Sequence, residues 1–147
     1  MAAVIEKARG VAVAFLRAQA RRVVSGASLS AMGVSTGCCA CSDDFGDAGL
    51  STVFNPRHAD VLIVSGALNA KSAAVARRIY DQMDSPKYVI ALGNCAIGGG
   101  PFAESPAVLS ARDVLPVDVE AAGCPPDAAA LKAAVRLLRE KIKTGAA

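Results

Sequence analysis

Short apolar runs alternating with segments of helical periodicity predict an α/β sandwich with a mainly parallel sheet. Val61–Ser65 and Tyr88–Leu92 are continuous apolar runs, the pattern of strands covered on both faces. Segments with a 3.6-residue apolar period separate and follow them, which places helices between parallel strands. Composition agrees: 53% of the 147 residues are hydrophobic but only 4% are aromatic and none is Trp. The core must therefore come from Ala, Val, Leu and Ile in closely packed elements. That apolar content excludes disorder, and the length fits one domain burying roughly two thirds of its unfolded surface.

The elements follow in order. Val4, Ile5, Ala8, Val11, Ala12, Phe15, Leu16, Ala20 and Val23 recur at helical spacing, so residues 1–24 are expected to form an amphipathic helix ahead of a single domain at 25–147. Residues 25–37 are rich in Ser and Gly, with a short strand expected at Leu29, Ala31, Met32 and Val34, and a polar helical turn through Ser42 and Asp47. After the Val61–Ser65 strand, Ser72 is expected to cap a helix whose apolar side is Val75, Ala76, Ile79, Tyr80 and Met83, ended by Ser85-Pro86. A third strand is expected over residues 114–119, at a sheet edge because Pro116 interrupts it. Leu131, Ala134, Val135, Leu138 and Ile142 mark one side of a final helix, with Asp127 near its positive end.

The net charge of +3 conceals an uneven distribution. Lys7, Arg9, Arg17, Arg21 and Arg22 face only Glu6 at the N-terminus, and Lys132, Arg136, Arg139, Lys141 and Lys143 outweigh Asp127 and Glu140 at the C-terminus. The centre is acidic and holds every cysteine. Basic residues are not interleaved with aromatics, which argues against nucleic acid as a partner. No apolar run approaches the ~20 residues of a membrane span, so a soluble or peripheral protein is expected. The N-terminus lacks the compact apolar stretch and cleavage site of a secretory signal, so a reducing compartment is expected.

In such a compartment the five cysteines are better read as metal or redox groups than as disulfides. Cys38 and Cys41 follow the first expected strand, Cys95 comes three residues after Leu92, and Cys124 follows the third. Loops leaving the carboxyl ends of parallel strands gather on one edge, so three loops can bring thiols to one point. Spacing alone leaves four readings open: a [4Fe–4S] cluster, a structural zinc, thiol exchange at Cys38 and Cys41, and inert core thiols. Zinc usually takes two CxxC knuckles, and only Cys38 to Cys41 has that spacing. Gly98–Gly100 lacks the Lys and Ser/Thr of a phosphate loop, so backbone approach to a cluster or partner is the expectation there. His58 is expected to hydrogen-bond at a strand start, and Asp43 and Asp44 to form a solvated turn.

Several longer motifs bring a family into view. Asn55-Pro56-Arg57-His58-Ala59-Asp60-Val61-Leu62-Ile63-Val64, Tyr80-Asp81-Gln82-Met83, Pro86-Lys87-Tyr88-Val89-Ile90-Ala91-Leu92-Gly93-Asn94-Cys95-Ala96, Gly99-Gly100, and Val117-Asp118-Val119 with Gly123-Cys124-Pro125-Pro126 resemble the iron–sulfur small subunit shared by respiratory complex I and [NiFe]-hydrogenases. The resemblance spans about residues 28–143. It implies a flavodoxin-like fold and one [4Fe–4S] cluster, called N2 in complex I and proximal in hydrogenases. The quinone-reducing branch uses two adjacent cysteines and the hydrogenase branch Cys-x-x-Cys; Gly37-Cys38-Cys39-Ala40-Cys41-Ser42-Asp43-Asp44 offers both. The run after Cys41 resembles the hydrogenase form, so the resemblance assigns ligand roles to Cys38, Cys41, Cys95 and Cys124, with Cys39 as the alternative.

The chain ends one helix after Cys124, without the second cluster-bearing half of uptake hydrogenases. Its expected relatives are therefore the membrane-bound, energy-converting hydrogenases. The expected role is electron transfer between a ferredoxin-like iron–sulfur subunit and a large catalytic subunit, peripheral on the cytoplasmic face of the cell membrane beside integral membrane subunits. The equivalent subunit of a complex I-like quinone oxidoreductase and a zinc-stabilised assembly scaffold are the alternatives. Five cysteines are too few for a second cluster, and no ligand set for a nickel–iron centre is present, so no complete redox reaction is expected of this subunit alone.

Overall fold

A computed structural model describes residues 29–39 and 45–145. The expected N-terminal helix, Cys41, Asp43 and Asp44 lie outside the described residues. Five strands form one sheet: β1 (Leu29–Ser35), β2 (Leu50–Thr52), β3 (Val61–Ser65), β4 (Tyr88–Leu92) and β5 (Val119–Ala121). Helices α1 (Ala70–Gln82), α2 (Asn94–Gly98), α3 (Ala111–Val114) and α4 (Ala128–Thr144), with short 3-10 turns at Phe45–Ala48, Pro56–His58 and Gly100–Phe102, complete the described fold. The strand order is β2-β1-β3-β4-β5 and every pairing is parallel, the doubly wound flavodoxin-like arrangement.

Burial explains why β3 and β4 read as continuous apolar runs. Val61, Ile63, Tyr88, Ile90 and Leu92 pack under α4, against Leu131, Ala134, Val135, Leu138 and Ile142. Leu62, Val64, Val89 and Ala91 face the opposite layer, with Ala76 and Met83 from the α1 side and Ala96 and Ala111 from α2 and α3. The sequence places the buried side of α4 correctly. On α1 it is partly corrected: Ala73 takes a core place and Val75 is exposed.

Three local expectations shift. The N-cap of α1 is Asn69, not Ser72; Asn69 Oδ1 accepts from the N–H groups of Lys71 and Ser72, and Ser72 Oγ accepts from the Asn69 N–H. Ser72 is thus the reciprocating N3 residue of a capping box. The edge strand lies at Val119–Ala121, because residues 111–114 form α3 and Pro116 falls in the connection. The short β2 had no apolar signature: only Leu50 of its three residues is buried.

Two aspartates set the strand register. Asp60 Oδ2 accepts from the Ser30 N–H at 2.9 Å while the Asp60 N–H donates to Ser30 O at 2.8 Å, just before β3 begins. Asp118 repeats the device before β5: its Oδ2 accepts from the Val89 N–H at 2.7 Å and its N–H donates to Val89 O at 3.0 Å. Each carboxylate fills a ladder position where the neighbouring strand lacks a backbone acceptor. Burial pushes the Asp118 carboxyl above its ordinary value, against the Val89 hydrogen bond and nearby Lys141, which pull it down.

Folding therefore favours protonated Asp118, and its ionisation lowers stability as pH rises from the ordinary carboxyl range through the raised folded value. Asp118→Asn keeps an oxygen acceptor for the Val89 N–H and removes the charge. Urea unfolding across that pH range should show wild type losing ground to Asp118→Asn as pH rises; a pH-independent difference contradicts this.

Candidate metal centre

The register aligns four strand ends in one row: Ser35 pairs with Ser65, Ser65 with Leu92, and Leu92 with Ala121. Cys38, Cys95 and Cys124 each stand three residues beyond a member of that row, after Ser35, Leu92 and Ala121. The same offset from aligned strand ends delivers three thiols to one edge of the sheet.

The loop after β1 is pinned over the end of β3. The Thr36 N–H and Oγ1 both donate to Ser65 O, at 2.9 and 3.2 Å, and Oγ1 also lies 2.8 Å from Ala67 O. Gly37 then passes so close to Gly66 that a Cβ on Gly66 would stand 2.6 Å from the Gly37 nitrogen. Crossing there carries Cys39 towards β4. Its side chain is 1% exposed, and its Sγ lies where a Cβ on Gly93 would approach to 2.7 Å. Gly93 has φ 90 and ψ 154, a conformation that is essentially glycine's alone.

Cys95 sits in the first turn of α2 and is 8% exposed. The Gly99-Gly100 turn folds back over it, and a Cβ on Gly100 would lie 2.9 Å from Cys95 Sγ. The Gly98–Gly100 run thus brings its backbone against Cys95 itself. Cys124 is exposed and held from beneath: the Asn94 N–H donates to Gly123 O at 3.0 Å, and Asn94 Oδ1 accepts from the Gly123 N–H at 2.9 Å. Asn94 lies inside a motif quoted above, but spacing shows no role for it, because its partner is 29 residues away.

The thiols sense one another. Burial raises the pKa of Cys39 most, followed by the charge of Cys38, a side-chain hydrogen bond with Cys38, and then Cys95 and Cys124. Cys95 is raised by burial first, then by Cys124 and Cys38. Cys38, Cys39, Cys95 and Cys124 therefore lie within electrostatic reach of one another, and the two buried members, Cys39 and Cys95, are the ones whose ionisation burial and neighbouring thiols oppose.

Among the described residues, no group of three or more His, Cys, Asp or Glu side chains is arranged to hold a metal ion. A cubane cluster binds each thiolate to a separate iron, so it takes thiols set wider apart than the sulfurs around one zinc. Four thiols from three loops, two of them packed directly against Gly93 and Gly100 where a side chain would collide with sulfur, match the number and type of donors such a group takes. His58 is exposed in the turn that precedes β3, at the opposite edge, where its N–H donates to Asn55 O at 3.0 Å.

A parallel five-stranded sheet with cysteines gathered at its carboxyl edge defines a class of α/β domain with thiols on the loops that leave its strands. This chain belongs to the family described as NADH ubiquinone oxidoreductase, 20 Kd subunit, which matches residues 25–138. It is thus of an oxidoreductase-complex subunit family. Among solved structures it is similar to a chain in the structure of the membrane-bound sulfane sulfur reductase, an archaeal respiratory membrane complex: 27% identity, 87% of this chain and 77% of that chain covered, TM-score 0.76. Among the described residues, no helix is long and apolar enough to cross a membrane.

Gly93→Ala adds a methyl at 2.7 Å from Cys39 Sγ and strains φ, costing about 1–3 kcal/mol. The buried Cys39 thiol of the metal-free protein should then become open to alkylation, read by mass spectrometry of the labelled peptide. Unchanged protection of Cys39 contradicts the packing described.

Proposed function

We propose that this chain is an electron-transfer subunit carrying one [4Fe–4S] cluster, which links a ferredoxin-like iron–sulfur subunit to the large catalytic subunit of a membrane-bound respiratory complex. The observation that carries this reading is the convergence of Cys38, Cys39, Cys95 and Cys124 at one sheet edge. Similarity to a chain of a membrane-bound respiratory complex supports the wider setting.

The proposed ligands are Cys38, Cys39, Cys95 and Cys124. Cys39 takes the place assigned to Cys41 by resemblance, because Cys39 Sγ packs on Gly93, whose own neighbours are Gly123 and Pro126. Adjacent cysteines are the form that the resemblance ties to quinone reduction, so this set favours a complex I-like large subunit over the hydrogenase type. When bound, the cluster supplies one-electron transfer without protons or group transfer. The protein's part is to hold it: Cys39 and Cys95 are buried on the protein side, while Cys38 and Cys124 are exposed. Two ligands open to solvent leave a face for the large subunit to cover, and exclusion of water there would help set the potential. The basic C-terminal turn of α4 lies at the other edge, where Lys141 is engaged with Asp118 O and the exposed Lys143 is available to acidic neighbours or an anionic membrane surface on the cytoplasmic side.

Electron paramagnetic resonance on the anaerobically purified, reduced complex tests this. A [4Fe–4S] signal should be lost or converted in Cys39→Ser and Cys124→Ser and retained in Cys41→Ser. Loss in Cys41→Ser with retention in Cys39→Ser overturns the ligand set, and a silent sample containing zinc overturns the cluster in favour of a scaffold. Oxidation of the signal by quinone is expected; reduction by hydrogen would instead indicate the hydrogenase type.

A further inference from the structure

We propose that Asn94 is a positioning residue that couples the loops after β4 and β5, so that Cys95 and Cys124 hold the metal centre as one unit. This deepens the reading above and rests on it. The β4–β5 ladder has its last paired residues at Leu92 and Ala121, and the Gly93 N–H adds a bond to Ala121 O at 2.7 Å. Beyond that point the strands diverge into their loops. Asn94 nevertheless exchanges two bonds with Gly123, one from its backbone N–H and one to its side-chain Oδ1. The side chain does what another strand residue would do, extending the ladder one step towards the cysteines. Each partner in this exchange immediately precedes a proposed ligand, Asn94 before Cys95 and Gly123 before Cys124.

Packing cannot account for the residue, because Asn94 is exposed and belongs to neither core cluster. The close packing of Gly123 on Pro126 sharpens the effect. The Gly123 φ is 152, and a Cβ there would lie 2.5 Å from Pro126 Cα, so the turn carrying Cys124 is already tightly folded. Holding Gly123 at both its N–H and its C=O fixes the start of that turn relative to Cys95. An amide or carboxylate of this length can accept from the Gly123 N–H, whereas an apolar side chain of similar size cannot.

The test uses the intact complex and two variants. Asn94→Leu removes the acceptor at similar volume, and Asn94→Asp keeps it and adds a charge. Iron release to a chelator and conversion of the [4Fe–4S] signal under mild oxidation should run about three- to tenfold faster in Asn94→Leu, the equivalent of one lost hydrogen bond. Asn94→Asp should restore the wild-type rate and lower the midpoint potential, because a negative charge beside the centre favours its oxidised form. Wild-type release rates in Asn94→Leu, or an unmoved potential in Asn94→Asp, would overturn the role of Asn94. A wild-type complex without iron would instead overturn the reading of the site on which it rests.

Discussion

The candidate site depends on the in-register parallel pairing of β1, β3, β4 and β5. Because Ser35, Ser65, Leu92 and Ala121 lie in one row, loops leaving three of those strands begin at the same height. A cysteine at a common distance beyond the row then needs no long excursion to meet the others. Slipping one strand by a single residue would turn its side chains to the opposite face and move its cysteine out of line. The carboxylates of Asp60 and Asp118, at the far edge of the sheet, oppose that slip. Residues remote from the cysteines thus belong to the account of how the cysteines meet.

Above the row, backbone proximity does most of the shaping. Gly37 against Gly66, Gly93 against Cys39, Gly100 against Cys95 and Gly123 against Pro126 are contacts that a side chain would disrupt. They let main chain and sulfur approach within van der Waals distance. The group has a closed side, with Cys39 and Cys95 buried and their pKa values raised first by burial and then by neighbouring thiols, and an open side with Cys38 and Cys124. A centre bound there would be gripped by this chain on one side and completed by a partner on the other, which suits transfer between subunits.

Much of this was legible in the amino-acid order. Val61–Ser65 and Tyr88–Leu92 announce themselves because both faces of each strand are covered, and α4 because its buried stripe is regular. β2 is silent because Ser51 and Thr52 are exposed, and β5 begins later than expected because residues 111–114 form α3 and Pro116 lies in the connection before Asp118. The place of Cys39 was beyond spacing, because its contact with Gly93 joins loops more than fifty residues apart. Asn94 escaped notice for the same reason, since an exposed asparagine after a glycine looks like ordinary turn chemistry until its partner is known.

The most direct measurement is anomalous diffraction at the iron absorption edge from crystals of the anaerobically purified complex. The account predicts four iron positions at the carboxyl edge of the sheet, each bonded to one sulfur of Cys38, Cys39, Cys95 or Cys124, with Cys41 unbound. A single zinc peak, or iron bonded to Cys41 in place of Cys39, would contradict it.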